Sequence, residues 1–170
     1  MARTVQTMST QQIAGLARAI QSFQRVRASR QAHAALMSAA GIEMSQQGTQ
    51  VLLAVRNGQS VAELSRAARM DMGAVSRQLK VLEDDQLLQR SPSPDNGAVV
   101  IVTLTPAGRE IVDRVTDVRD RHLADALAAW TPTDVETLGR LLQRMVDDLQ
   151  ATPYPSPFGA TEPSRQETQR

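Results

Sequence analysis

The residues best equipped for chemistry in this chain are donors spaced to meet a polyanion. Gly73, Ala74, Ser76, Arg77 and Lys80 fall on one side of a short helical segment whose other side carries Val75, Leu79 and Leu82. A glycine and an alanine near a helix start let the backbone approach a base edge closely, and an alanine methyl can meet a thymine methyl. An arginine forks onto guanine or a phosphate, and a serine hydroxyl donates or accepts. Ser60 precedes this segment, and Arg90, Asn96 and Gly97 follow it. Together these nine positions form the candidate contact set for double-stranded DNA.

Enzymatic chemistry has little to stand on. The sequence holds no cysteine, no glycine-rich phosphate loop and no nucleophile beside a base. Adjacent carboxylates such as Asp84-Asp85 and Asp147-Asp148 diverge around a helix and cannot address one substrate. The two histidines, His33 and His122, assemble no metal site without cysteine. No metal, no cofactor and no catalytic residue is expected.

Helical elements must position the donors. Ile13, Leu16, Ala17, Ile20 and Phe23 follow amphipathic helix spacing; that helix either breaks near Ser29 or continues to Ala40, with Gly41 as its stop. Ser45 opens a helix that Asn57-Gly58 ends. Ser60 and Glu63 have capping-box spacing for a short helix to Ala68, Arg69-Met70 turns, and Asp71 caps the next helix, to about Asp84. Two short helices joined by so tight a turn read as a helix-turn-helix.

The stretch SPSPDNGAVVIVT, residues 91–103, then interrupts the helical text. Asn96-Gly97 suits a two-residue turn between antiparallel strands. A lone hairpin is unstable in water and persists only against a helical core, as a wing does. Thr105-Pro106 and Thr131-Pro132 restart helices, the first running to Ala129 and the second carrying Val135, Leu138, Leu141, Leu142, Met145 and Leu149. From Ala151 the text is rich in Pro, Ser, Thr and Gln and reads as a disordered tail over 151–170; residues 1–9 read as a flexible N-terminus.

The totals agree with this picture. A chain of 170 residues buries roughly 70% of its unfolded surface and needs no metal or disulfide staple. Aromatic residues make up 2%, too few for stacking platforms on single strands. Residues 1–59 hold six arginines against the single carboxylate Glu43, whereas 106–150 hold nine carboxylates against six arginines. Such polarity suits a protein that turns one side to a polyanion, and equally suits ordinary solvated helix faces. The longest apolar run, Ala98 to Val102, falls far short of the about 20 residues needed to span a bilayer. No membrane association and a cytoplasmic location are expected.

The run VAELSRAARMDMGAVSRQLKVLEDDQLLQRSPSPDNGAVVIVTLTPAGR, residues 61–109, resembles the winged-helix core of the MarR family of bacterial transcriptional regulators. AVSRQLKVLEDDQLLQR and LTPAGR are its most specific parts, and the flanking helices extend the likeness over roughly residues 10–150. The resemblance implies a mainly α fold with a small β-hairpin wing. A winged helix-turn-helix over 45–105 would join a helical dimerisation region made of 10–44 and 106–150. It implies a homodimer straddling a palindromic operator and released by a small-molecule effector. Ile13, Leu16, Ile20, Leu123, Leu127, Leu138, Leu142, Met145 and Leu149 would line the dimer interface.

One departure stands out. The family's wing tip usually reads D-R-R-A, with an arginine reaching the minor groove, and a gapless reading puts Asn96, Gly97, Ala98 and Val99 there. Both arginine positions are taken by Gly97 and Ala98. Either binding is weaker with a shallower salt dependence, or Arg77, Lys80, Arg90 and the basic first helix compensate.

Other residues admit two readings. His33 or His122 could hydrogen-bond an acidic effector or be plain helix residues. Trp130 could offer an indole to a flat ligand or pack the dimer stem, so His33 and Trp130 stand as the candidate effector pocket. Met37, Met44, Met70, Met72 and Met145 suit adaptable core filling better than a ligand box. Two functions therefore compete: a dimeric DNA-binding repressor of MarR type, and a winged-helix protein-interaction module with weak or no specific DNA binding.

Overall fold

The computed structural model describes residues 9–154, apart from Asn57, Asp95 and Ala98. The expected flexible N-terminus and disordered tail lie almost wholly outside the described residues. At their edges, Ser9 caps the first helix and Ala151 ends the last. The chain divides into two compact units, Met1–Leu123 and Ala124–Arg170. No helix among the described residues is long and apolar enough to cross a membrane.

Within the first unit, α1 (Thr10–Arg27) starts at a capping box between Ser9 and Gln12. The chain breaks at Ala28-Ser29, which settles the question the sequence left open. Ser29 accepts from the Ala32 N–H and so starts α2 (Arg30–Ala40) as a separate helix. Gly41 ends α2 in the left-handed conformation (φ 64°). The Gly41 and Ile42 N–H groups return to Ser38 and Met37, and glycine adopts this conformation without a Cβ clash.

Ser45 caps α3 (Gln46–Ala54), which stops three residues before Asn57-Gly58 because Val55 is already extended. The next two residues form β1 (Gln59–Ser60), and α4 (Val61–Ala68) follows on the capping box of Ser60 and Glu63. Arg69 turns the chain in the left-handed region (φ 51°), helped by Ser65, which donates to the Met70 carbonyl at 2.6 Å. Asp71 then caps α5 (Met72–Asp84) through the Ala74 N–H at 2.8 Å.

The wing consists of β2 (Leu88–Pro92) and β3 (Val100–Leu104), antiparallel, with β1 on the other side of β3. Two expectations are corrected here. The sheet has three strands, since Gln59 pairs with Val102 and Ser60 with Ile101; a two-residue strand leaves no alternation to read. The connection runs over residues 93–99 instead of turning on Asn96-Gly97 alone. The last β2 pair is Pro92 with Val100, the Ser93 N–H donates to Val99, and the Val99 N–H donates to Asn96 at 2.8 Å. Pro92 has no N–H with which to extend the ladder.

Val51, Leu52, Val55, Leu64, Ala68, Val75, Leu79, Leu82, Leu88 and Val102 make one buried core from α3, α4, α5 and the sheet. Each large side chain buried there contributes roughly 1.5–3 kcal/mol of transfer free energy. Met37, Ala40 and Val115 form a second cluster, where α2 meets α6 (Pro106–Ala126). The Thr105 hydroxyl accepts from the Gly108 N–H at 3.0 Å and so caps α6, which ends at Ala126, three residues short of the expected Ala129.

The second unit contains α7 (Pro132–Ala151), capped by Thr131 with Pro132 in its first turn. It contains no buried residue, and neither does α1 in the first unit.

Candidate nucleic-acid interface

The helix-turn-helix places one face of α5 in the core and the other in solvent. Val75, Leu79 and Leu82 are buried, while Gly73, Ser76, Arg77 and Lys80 are exposed. Ala74 is a correction. Its side chain is buried at 7% exposure, so its methyl packs inward and is not presented for a thymine. Position 74 lies on the helix edge of Gln78, four residues on, which contacts Ser45 and Gln47 at the start of α3. Met72, not singled out as a contact, is instead 56% exposed at the first helical position.

Polar contacts hold α5 in place from α3. Gln78 lies 3.4 Å from both the Ser45 hydroxyl and the Gln47 amide oxygen. The Ser60 hydroxyl is already engaged. It donates to the Glu63 carboxylate at 2.7 Å and accepts from the Glu63 N–H at 3.3 Å. The bonds from Ser60, its backbone N–H first, hold the Glu63 carboxyl below its ordinary value.

Arg90 is likewise occupied. From β2 its Nε donates to Glu83 Oε1 of α5 at 2.7 Å, and its Nη2 donates to Oε2. This fork raises the Arg90 pKa, chiefly through the hydrogen bond it donates to Glu83. Compensation by Arg90 for the arginine-free wing tip is therefore opposed by its local partner. Only a separation of seven residues between Glu83 and Arg90 was available in the sequence to signal this clamp. Asn96 and Gly97 are exposed in the wing loop, a side chain at Gly97 would meet open space, and Ala98 lies outside the described residues.

The residues expected at a dimer interface are uncovered or partly covered. Ile13 and Leu16 of α1, Leu123 of α6, and Leu138, Leu142 and Leu149 of α7 are exposed, the last at 65%. Ile20, Leu127 and Met145 are half-buried.

The two residues expected in an effector pocket line different grooves. The His33 groove includes Met37, Ile42 and Met44, and its ring Nε2 lies 2.9 Å from the Met44 carbonyl oxygen. Trp130 lines a groove with Asp134, Thr137, Leu138 and Leu141. His33 is thus a strap across the α2–α3 connection. Of the five methionines, Met37 is buried, Met44, Met70 and Met145 are half-buried, and Met72 is exposed. Among the described residues no three His, Asp or Glu side chains gather in a way that could hold a metal ion.

Comparison with known proteins fits this geometry. The model of the MarR family matches residues 50–100, from α3 to the start of β3. The HTH-type transcriptional regulator YxaD of Bacillus subtilis is 32% identical over 85 residues, covering 50% of this chain and 59% of its own length. The chain thus spans less than two thirds of that relative. A MarR family protein from Bacillus stearothermophilus superposes with a TM-score of 0.73 at 18% identity, over 85% of this chain and 99% of that one. A mutant MarR from E. coli, solved with operator DNA, superposes with a TM-score of 0.59 at 23% identity, over 82% and 99%. With the winged helix-turn-helix in place and its elements in this order, the chain has the MarR fold, and its residues 50–100 are similar to the MarR family of transcriptional regulators.

Proposed function

We propose that the protein is a dimeric, sequence-specific DNA-binding regulator that represses from a palindromic operator and is released by a small-molecule effector. The observation that carries this reading is α5. Its buried face is fixed in the core while Ser76, Arg77 and Lys80 are free on the opposite face. A recognition helix placed this way enters the major groove, with Arg77 forked onto guanine and Lys80 on phosphate. The complex of the E. coli relative with operator DNA supports the same mode.

Dimerisation rests on the apolar stripes of α1 and α7, which the chain itself leaves exposed. Stripes of that length on two helices need a partner, and a second copy supplies both in a closed symmetric assembly. In the binding form the two recognition helices would lie about 34–36 Å apart, one turn of DNA. An effector that prefers another spacing shifts the population by its differential affinity for the two states.

Selection of bound fragments from genomic DNA at low and physiological salt tests the proposal. Enrichment of one palindromic site at physiological salt is the expected result. A second reading, a protein-interaction module, is favoured by the arginine-free wing tip and by the occupied Arg90. It requires little DNA affinity at any salt, whereas a true binder loses affinity steeply as salt rises.

A further inference from the structure

Arg77 Nη1 lies 3.5 Å from the point a Cβ on Gly73 would occupy, and Asp71 Oδ1 lies 3.2 Å from the same point. Arginine four residues along a helix runs back toward the N-terminus, so the guanidinium lies over Gly73 instead of reaching out from its own turn. The ion pairs among the described residues are Glu83–Arg90 and Arg144–Asp148. Asp71 and Arg77 therefore face one small space without being joined. Asp71 holds its place because Oδ1 accepts the Ala74 N–H, and the residue as a whole is exposed.

We propose that Asp71, Gly73 and Arg77 form one reader for a G·C base pair, resting on the DNA-binding reading above. In the major groove a G·C pair presents the N7 and O6 acceptors of guanine beside the N4 amino donor of cytosine. Arg77 supplies the donors for guanine, and Asp71 supplies the acceptor for cytosine. Gly73 is the positioning residue: it keeps empty the space that the base edge and both side chains share. An A·T pair offers its donor and acceptors in another order and adds a methyl group, which meets the Asp71 carboxylate unfavourably.

The test uses the full-length protein and the operator recovered from genomic selection, with every base pair of one half-site varied in turn. The wild type is expected to lose about tenfold or more in affinity when one particular G·C pair becomes A·T. Asp71→Asn keeps a capping residue and Gly73→Val keeps a helical one, so both are expected to fold, which circular dichroism checks. Each is expected to flatten the preference at that same base pair while leaving the dependence at other positions unchanged. A preferred site whose G·C discrimination survives both substitutions would overturn the reader alone. Absence of any preferred site in the wild type would overturn the site-specific reading, and the reader with it.

Discussion

Arg90 of β2 and Glu83 of α5 are joined by two parallel hydrogen bonds, one guanidinium edge against one carboxylate. The pair ties the wing to the C-terminal end of α5 and neutralises Arg90, an arginine of the wing itself. Its contribution to stability is modest, about 1 kcal/mol or less, because both side chains are partly exposed to solvent. Its consequence for DNA is larger. Lys80→Ala is expected to reduce the slope of log affinity against log salt by about one, whereas Arg77→Ala is expected to relax base preference at its contact. Arg90→Ala is expected to leave that slope unchanged, since its charge is already met by Glu83. A slope change for Arg90→Ala equal to that for Lys80→Ala would show that the clamp opens on DNA.

The wing tip is a natural place to add charge. A side chain at Gly97 would meet open space within the protein. Gly97→Arg is therefore expected to leave the melting temperature nearly unchanged, to tighten operator binding several-fold at low salt, and to steepen the salt dependence by about one. Titration of labelled operator at three salt concentrations checks it. Unchanged affinity would mean that the wing does not approach the minor groove.

The elements legible in the sequence were those marked by caps and by repeated apolar spacing. Ser60 with Glu63, Asp71, Thr131 with Pro132, and Gly41 each stop or start a helix where their chemistry requires it. Strand β1 was not legible, because two residues have no period and Ser60 already served as a cap. The length of the wing loop is not legible because Asn96-Gly97 is a strong local turn signal, whereas the last strand pair is Pro92 with Val100. Ala74 was misread because alanine fits either face of a helix, and only the packing of α5 decides between them. The clamp of Glu83 and the arrangement of Arg77 over Gly73 depend on side-chain direction, which spacing alone does not specify.

Gly108 explains the glycine of LTPAGR. It is buried at the start of α6, and a Cβ there would collide with the Leu87 carbonyl oxygen and lie 3.3 Å from the Leu104 side chain. That same carbonyl accepts the Thr105 N–H at 3.1 Å, so it cannot retreat without losing a hydrogen bond. Gly108→Ala is expected to destabilise the fold by about 1–3 kcal/mol, measured by denaturant unfolding. Gly97→Ala, in open space, serves as the control and is expected to change little.

Acid should weaken the start of α4. The Glu63 pKa is lowered in the folded state by the backbone and hydroxyl of Ser60. A group with a depressed folded pKa contributes stability that is present above its unfolded value and lost as pH falls through its folded value. Gln at this position preserves the capping geometry without the charge. The excess stability of wild type over Glu63→Gln is thus expected to be constant near neutrality and to shrink below about pH 4. Thermal melts of both proteins across that range check it, and a difference independent of pH would remove the ionised carboxylate from the argument.

The exposed stripe of α7 makes the strongest prediction about assembly. Leu138, Leu142 and Leu149 are too apolar and too uncovered to face water along a helix that buries nothing else. If a second copy covers them, Leu142→Arg places a charge in the middle of that apolar contact. Sedimentation velocity is expected to show a dimer for the wild type and a monomer for the variant at micromolar concentration. Operator affinity should fall in parallel, because each monomer then binds a half-site without the gain of a tethered second one. The isolated winged core does not use Leu142, so the variant should keep the circular dichroism of a folded helical protein. A dimer that persists in Leu142→Arg would place the interface on other residues, with α1 and its exposed Ile13 and Leu16 the next to test.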